Sequence, residues 1–366
     1  MKRTISILLT LLLCVSVFAG CQKAEEATSA EPAEAAAATE AAEAPEATEE
    51  TAEATVTYDT PEVVMKFPEI NADTGDVCVM ERYFADLVSE RSNGRIQIDV
   101  YGGGQLGDES ETIEQLRLGV VDFIRINPAN TSARGIDIPE YTALGLPYLV
   151  QSIQGGIDFL YSDSGAAIAD RVAEVTGGEI VSLYNYIVTT PRNMYTKTLV
   201  TNIEEMKAQK IRSETSDIKV DMINCWASAT PLAMNEIYTA LQTGVIDGCE
   251  NAFHGYYDNA WYEVAPYCLL TEHSINASIF LISGVSWAKL TADEQIMMVQ
   301  ALKDACEYFQ QIQNEHVEEV YQQLVEKGVT FTEPTDPEAW QEACQPLYDE
   351  YAADLGDFIT EIKSYK

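Results

Sequence analysis

One segment of the sequence has the spacing of a cofactor-binding motif. Residues 102–107 (GGGQLG) match G-x-G-x-x-G and lie between a predicted strand and a predicted helix, which is the context that a dinucleotide pyrophosphate requires. The acid that binds the ribose should end the second strand of such a unit, but Asp122 begins that strand. We therefore favour a tight, exposed turn in which glycine supplies backbone freedom.

Other catalytic signatures are missing. The sequence contains no G-x-S-x-G, no H-E-x-x-H and no G-x-x-x-x-G-K-[ST]. Its three histidines, at 254, 273 and 316, are too dispersed for a sequence-local metal site. Acidic residues are too numerous to single out a catalytic pair, so an exported carbohydrate hydrolase stays open. We expect no cofactor and no bound metal.

The charge balance excludes whole classes of partner. The chain of 366 residues has 22 Lys and Arg against 59 Asp and Glu, a net charge of −37. A nucleic-acid-binding protein needs a basic surface, and long-range attraction to an anionic membrane also needs one. An anionic ligand must therefore be held by a few local cations against an unfavourable overall field.

The N-terminus predicts export and a lipid anchor. Lys2 and Arg3 precede a short apolar run, 5–18, which fits a signal peptide and is too short to span a membrane. The run ends in Ala19-Gly20-Cys21, which resembles a bacterial lipoprotein signal. This resemblance implies cleavage after residue 20 and acylation of Cys21, which would hold the protein to the outer face of the membrane.

The next segment predicts a spacer. Residues 21–57 are mostly Ala, Glu, Thr and Pro, and such a stretch has no apolar surface to offset its ordering entropy. Ten acids and three bases lie before residue 58, which leaves 49 acids and 19 bases, a net of −30, in residues 58–366. Six cysteines lie in that part without regular spacing. We expect mostly free thiols, because a protein with a large hydrophobic core does not need disulfide bonds for stability.

The remainder alternates strands with helices. Apolar positions predict strands near 63–67, 96–100 and 121–126, separated by helices near 76–91 and 109–118. This alternation of strands and helices is typical of an α/β fold with parallel strands. The alternation begins again after residue 179.

A long helix is predicted near the C-terminus. Thr291 and Glu294 form a capping box, Gly328 supplies the stop, and no Pro or Gly interrupts the residues between them. A helix of this length would span about 54 Å, which is longer than one small domain is wide. Two helices joined near Gln313 are the alternative.

Several ordered motifs resemble one transport family. The chain is similar to the solute receptors of tripartite ATP-independent periplasmic (TRAP) transporters from about residue 63 to residue 351. The motifs that carry the resemblance are GQLG (104–107), IEQLRLG (113–119), VDF (121–123), LPY (146–148), KIR (210–212), IYTALQTGVIDG (237–248) and EN (250–251).

The resemblance implies a fold and a mode of action. Such receptors have two α/β lobes of the periplasmic-binding-protein type, with a long helix crossing both. We expect lobe I to contain 58–189 and 277–316, and lobe II to contain 190–276 and 317–366. The lobes would close around an organic acid, either a sugar acid or a dicarboxylate-like compound, and a monomeric receptor would deliver it to membrane permease subunits without performing chemistry.

The resemblance also implies the ligand-binding residues. Arg212 matches the family's carboxylate-clamping arginine, a role that suits a planar guanidinium with two parallel donors. Arg192 matches a second arginine and Asn251 a ligand-binding asparagine, although surface ion pairing or a turn would also explain them. The sugar-acid type of receptor is indicated by Arg125 and Asn127 in a strand and by Glu272 and His273.

Two alternatives remain for these residues and for the function. A buried Arg125 needs a partner, which is either an internal carboxylate or the ligand, whereas Glu272 and His273 could be structural. A sugar receptor of an ABC importer would have the same shape, but it would stack sugar rings on aromatic side chains rather than use paired arginines.

Overall fold

The computed structural model describes residues 57–366. The predicted signal peptide, Cys21 and nearly all of the predicted tether lie outside these residues. Six cysteines are inside them, and all six are free thiols. No helix in residues 57–366 has the length and apolar character needed to cross a membrane.

Eleven strands lie in the described part of the chain. They are β1 (Val63–Pro68), β2 (Ile96–Tyr101), β3 (Phe123–Ile126), β4 (Ile180–Val188), β5 (Arg192–Thr196), β6 (Lys210–Ser213), β7 (Ser228–Pro231), β8 (Gly248–Asn251), β9 (Tyr267–Ser274), β10 (Ala277–Ser283) and β11 (Thr330–Thr332).

Thirteen α-helices lie between or after these strands. They are α1 (Asp76–Arg91), α2 (Glu109–Arg117), α3 (Pro139–Ala143), α4 (Ile153–Leu160), α5 (Asp163–Val175), α6 (Ile203–Met206), α7 (Asp217–Asn224), α8 (Ile237–Thr243), α9 (Phe253–Asp258), α10 (Gly284–Trp287), α11 (Ala292–Glu326), α12 (Pro337–Glu342) and α13 (Gln345–Ile362).

The strands form two lobes. Lobe I contains the parallel pair β1–β2 and a three-stranded sheet in the order β3-β10-β4, and lobe II contains a six-stranded sheet in the order β11-β9-β5-β8-β6-β7. This mixed α/β architecture with two lobes is the predicted fold class. The strands β4 and β10 run antiparallel to their neighbours rather than parallel, because the chain crosses between the lobes and returns.

Two of the crossings between the lobes occur at short segments that connect strands. Residues 189–191 connect β4 to β5, and residues 275–276 connect β9 to β10. The two segments are joined where the Thr189 amide donates to the Asn276 carbonyl (2.9 Å). The predicted lobe boundaries lie at the same two points, and the movement of the lobes as units stays a prediction.

Helix α11 connects the two lobes as one uninterrupted element. It runs for 35 residues from a capping box formed by Thr291 and Glu294, so the alternative of two helices is wrong. Its N-terminal half buries Leu302 in the core of lobe I, and its C-terminal half buries Leu324 in the core of lobe II. Gln313 lies between these halves.

The side chain of Gln313 fixes the helix to a crossing segment. Its amide nitrogen donates to the Val188 carbonyl and its amide oxygen accepts from the Thr190 amide, both at 3.1 Å. The Gln313 side chain is 2 % exposed, so these bonds are shielded from water. The long helix is therefore tied to the point where the chain changes lobes.

The C-terminal helix α13 packs on lobe I, whereas the sequence predicts that it belongs to lobe II. Residues 317–366 were assigned to lobe II, but α13 buries Leu347, Ile359 and Ile362 in the core of lobe I, against α3 and α4. The chain therefore crosses back to lobe I after α12. Apolar periodicity predicts which face of a helix is buried but not the surface that covers it.

Candidate functional site

A cavity lies between the two lobes. Its volume is about 170 Å³, counted as the space open to the centres of water molecules, and both lobes contribute to its lining. Four arginines line it together with several acids; the members used below are Arg125, Arg134, Arg192, Arg212, Glu109 and Glu214. In residues 57–366 no group of His, Cys, Asp and Glu has the arrangement of a metal site.

Arg212 presents unpaired donors to this cavity. It lies on β6, its side chain is buried, and its Nε donates to the Leu232 carbonyl (2.9 Å). Its two Nη atoms have no hydrogen-bond partner within residues 57–366. Burial lowers the pKa of the guanidinium, and the charges of Glu214 and Glu250 partly offset that effect. Two parallel donors in a desolvated setting suit a carboxylate.

Arg192 is held by protein carboxylates. Its Nη2 donates to Glu250 Oε1 (2.8 Å) and lies 3.3 Å from Glu214 Oε1, while its Nε pairs with the other oxygen of Glu250. Its Nη1 donates to Asn251 Oδ1 (3.1 Å). Burial alone would lower the pKa of Arg192, but Glu250 and Glu214 raise it. The predicted residues Arg192 and Asn251 therefore bind each other at the cavity wall.

Arg125 has an internal partner. Its Nη2 and Nε donate to the two carboxylate oxygens of Glu69 (2.7 and 2.8 Å), and its Nη1 donates to Ser278 Oγ (2.7 Å). Of the two predicted alternatives, the structure shows the internal carboxylate, although Arg125 also lines the cavity. Asn127 lines it as well, and its Nδ2 lies 3.3 Å from Glu214 Oε2.

Glu272 and His273 do not line the cavity. Glu272 is exposed, and its backbone has a positive φ of 44°. His273 is fully buried behind the cavity wall, where Nδ1 lies 2.8 Å from Thr271 Oγ1 and Nε2 lies 3.4 Å from Glu250 Oε2. The irregular backbone at Glu272 turns that side chain to solvent and the next one into the core, so neither side chain lies at the cavity and their part in ligand binding stays a prediction.

The glycine-rich run is a turn, as favoured above. Gly103, Gly104 and Gly107 have positive φ values, which glycine adopts without steric cost. The N-terminus of α2 that follows is already capped, because the Asp108 carboxylate accepts from the amides of Ser110 and Glu111. An acid at this position occupies the donors that a pyrophosphate would use.

The sequence did not predict the four acids and the one amide side chain that surround the arginines. They are Glu69, Glu81, Glu109, Asn130 and Glu214, all of which are buried or nearly so. No local sequence pattern distinguishes the four glutamates from the rest of the 59 acidic residues. One signal was available: a charged residue within an apolar strand, such as Arg125, requires a buried carboxylate elsewhere in the chain.

Comparisons with known proteins identify relatives over most of the chain. Residues 79–354 match the family described as bacterial extracellular solute-binding protein, family 7. A solute-binding protein of Chromohalobacter salexigens is 31% identical over 285 residues, which cover 76% of this chain and 83% of that protein.

Solved structures of such receptors have the same fold. A TRAP periplasmic solute-binding protein of Xanthobacter autotrophicus with bound β-D-galacturonate is 31% identical, with a TM-score of 0.77 over 82% of this chain and 100% of that one. A TRAP receptor of Chromohalobacter salexigens with bound D-glucuronate is 29% identical, with the same TM-score and the same shares covered. These relatives are receptors, which contradicts the hydrolase and dinucleotide-enzyme alternatives.

The buried acid Glu81 gives a test of this electrostatic arrangement. Its side chain is fully buried on α1, and neither carboxylate oxygen has a hydrogen-bond partner within residues 57–366. Burial and the charge of Glu69 raise the pKa of Glu81 well above its ordinary value. Folding therefore binds a proton, and the free energy of unfolding falls as the pH rises above the unfolded-state pKa.

We expect Glu81→Gln to be more stable than the parent at pH 8, because it keeps the shape without the charge. The difference in unfolding free energy should grow from pH 5 to pH 8, by no more than about 1.4 kcal/mol per pH unit for one proton. Urea unfolding at several pH values measures it. Glu90→Gln, at an exposed position of the same helix, is the control, and a pH-independent difference for Glu81→Gln would contradict the prediction.

Proposed function

Because the chain belongs to the bacterial extracellular solute-binding proteins of family 7, we propose that it is the receptor of a TRAP transporter and binds a sugar acid of the uronate type. The observation that carries this proposal is the Arg212 guanidinium, which lines the inter-lobe cavity and whose Nη atoms have no hydrogen-bond partner within residues 57–366. The ligand carboxylate would accept two parallel hydrogen bonds from Arg212, and Arg192 and Asn251 would support it from the same wall.

The acids of the cavity favour a hydroxyl-rich ligand with a single carboxylate. Glu109 and Glu214 line the cavity, and ionised carboxylates only accept hydrogen bonds. Sugar hydroxyls donate to such groups, whereas a second ligand carboxylate would be repelled by them. This argues against a dicarboxylate, and the uronates bound to the two related structures support the same class. Neutral sugars would leave Arg212 buried without a counter-charge.

Transport would follow from the two-lobe geometry. Residues 189–191 and 275–276 are the segments about which the lobes would open and close, and the ligand would exchange with solvent only in the open form. The closed receptor would then be recognised by the membrane permease subunits. We expect the receptor to act as a monomer.

Lipidation of Cys21 and the tether 22–57 would keep the receptor near the permease. As a coil, 36 residues have a root-mean-square reach of about 30–36 Å, which lets the lobes approach a membrane partner without touching the bilayer. The sequence Ala19-Gly20-Cys21 supports the anchor.

Cys21→Ala should abolish acylation and release the receptor from membranes, because the thiol that takes the acyl chain is removed. Mass spectrometry of the mature protein and fractionation of cells measure the two effects. Cys225→Ala, which removes a half-buried thiol of the folded part, is the control. An acylated form of Cys21→Ala would refute the predicted anchor.

Arg212→Ala should weaken uronate binding by about 30- to 5000-fold, which corresponds to the roughly 2–5 kcal/mol lost when one partner of a buried charge pair is removed. Arg212→Lys should also weaken it, because an ammonium lacks the planar pair of donors. Calorimetric titration with D-glucuronate and D-galacturonate measures the change.

Lys210→Ala is the matched control for Arg212→Ala, because it removes one positive charge from the exposed start of the same strand. Its affinity should match that of the parent. The carboxylate clamp is wrong if Arg212→Ala binds uronates as tightly as the parent, or if glucose and galactose bind the parent as well as the uronates do.

Glu109 should make uronate binding depend on pH. Burial and the charge of Glu214 raise the pKa of Glu109 to about 7, although Arg134 lowers it. A bound anion would raise this pKa further, so binding takes up protons near pH 7 and affinity falls as the pH rises from 6 to 8, by no more than about tenfold per pH unit.

Titration calorimetry in phosphate and in Tris, whose protonation enthalpies differ, measures this proton uptake. Glu109→Gln should remove the uptake near pH 7. An affinity of the parent that is constant from pH 6 to pH 8 would contradict the prediction.

A further inference from the structure

Asn130 joins two acids of the cavity that would otherwise repel each other. It ends the 3-10 turn Pro128–Asn130 and is 4 % exposed. Its Nδ2 donates to Glu109 Oε2 (3.0 Å) and to Glu214 Oε2 (2.7 Å), while its Oδ1 accepts from Ser216 Oγ (2.8 Å). Both amide hydrogens and the amide oxygen are therefore used.

These bonds cross from one lobe to the other. Asn130 and Glu109 belong to lobe I, and Glu214 and Ser216 follow β6 of lobe II. A second contact runs beside them, because Arg134 Nη2 of lobe I donates to Thr215 Oγ1 (2.7 Å). Segment 214–216 is thus held against lobe I by the protein's own side chains.

The amide also determines which carboxylate oxygens remain for a ligand. One oxygen of Glu109 accepts from Asn130 and pairs with Arg134 (3.2 Å), whereas the other has no hydrogen-bond donor within residues 57–366. Only a group with two adjacent N–H donors can bond two ionised carboxylates at once and still accept a third bond. Aspartate has the same shape and lacks those donors.

We propose that Asn130 is a positioning residue that holds Glu109 and Glu214 at a fixed separation and fastens segment 214–216 across the cleft. The part of this proposal that concerns ligand hydroxyls rests on the proposed function. The part that concerns the two acids does not, since these contacts are made between the protein's own side chains.

The first test compares Asn130→Asp with the parent without ligand. A third carboxyl group placed against two others has a raised pKa, so the variant should lose stability relative to the parent as the pH rises from 5.5 to 8. Asn235→Asp is the matched control, because Asn235 lines the same cavity and is exposed. Its stability should differ little from that of the parent at either pH.

The second test measures D-galacturonate affinity at the same two pH values. Asn130→Asp should bind at least tenfold more weakly than the parent at pH 8, and its affinity relative to that of the parent at the same pH should recover in part at pH 5.5, where the introduced carboxyl can donate one O–H. Asn130→Leu should lose affinity without such recovery. Asn235→Asp should lose much less affinity than Asn130→Asp at pH 8.

The proposal is overturned if Asn130→Asp matches the parent at pH 8 in stability and affinity. It is also overturned if Asn130→Asp and Asn235→Asp lose stability equally, or if the loss for Asn130→Asp is the same at both pH values. A parent that binds no sugar acid would refute the proposed function, whereas the ligand-free comparison would still decide the role of Asn130.

Discussion

The structure depends on the balance of buried charges around one cavity. A chain with a net charge of −37 encloses Arg125, Arg192 and Arg212 between its lobes, where an unpaired ion would be very costly. Carboxylates neutralise the first two almost completely. Within residues 57–366, the third donates only through Nε, to the Leu232 carbonyl, and its two Nη atoms have no hydrogen-bond partner.

The same balance explains why acids line a site proposed for an anion. Glu250 has a pKa well below its ordinary value, because the effects of Arg192 and of the nearby His273 ring outweigh the effect of burial. It therefore stays ionised and fixes Arg192 in the wall. Glu109 and Glu214 are held by amides and cations from both lobes, and they leave acceptors for hydroxyl groups. In the proposed binding mode, Arg212 would bind the carboxylate of the ligand, and the acids Glu109 and Glu214 would accept hydrogen bonds from its hydroxyl groups.

The two segments that connect the lobes are linked by contacts to the charged cavity. Gln313 of α11 is bonded to the crossing segment at Val188 and Thr190. The other crossing segment contains Asn276, whose Oδ1 accepts from Lys219 Nζ (3.1 Å). Lys219 in turn lowers the pKa of Glu214 against the effect of burial. The segments that connect the lobes are therefore linked to a cavity acid through a short series of hydrogen bonds and charges.

The sequence by itself determined the features that depend on neighbouring residues. Capping residues, glycine stops and apolar periodicity located α1, α2 and the 35-residue α11, and ordered motifs indicated the family and the positions of Arg192 and Arg212. Tertiary structure decided which acids meet these arginines, because Glu69 lies 56 positions from Arg125 and Glu250 lies 58 from Arg192. It also decided that α13 covers lobe I and that His273 lies behind the wall. Such pairings depend on how distant segments pack, and a local pattern contains no information about the surface that will face it.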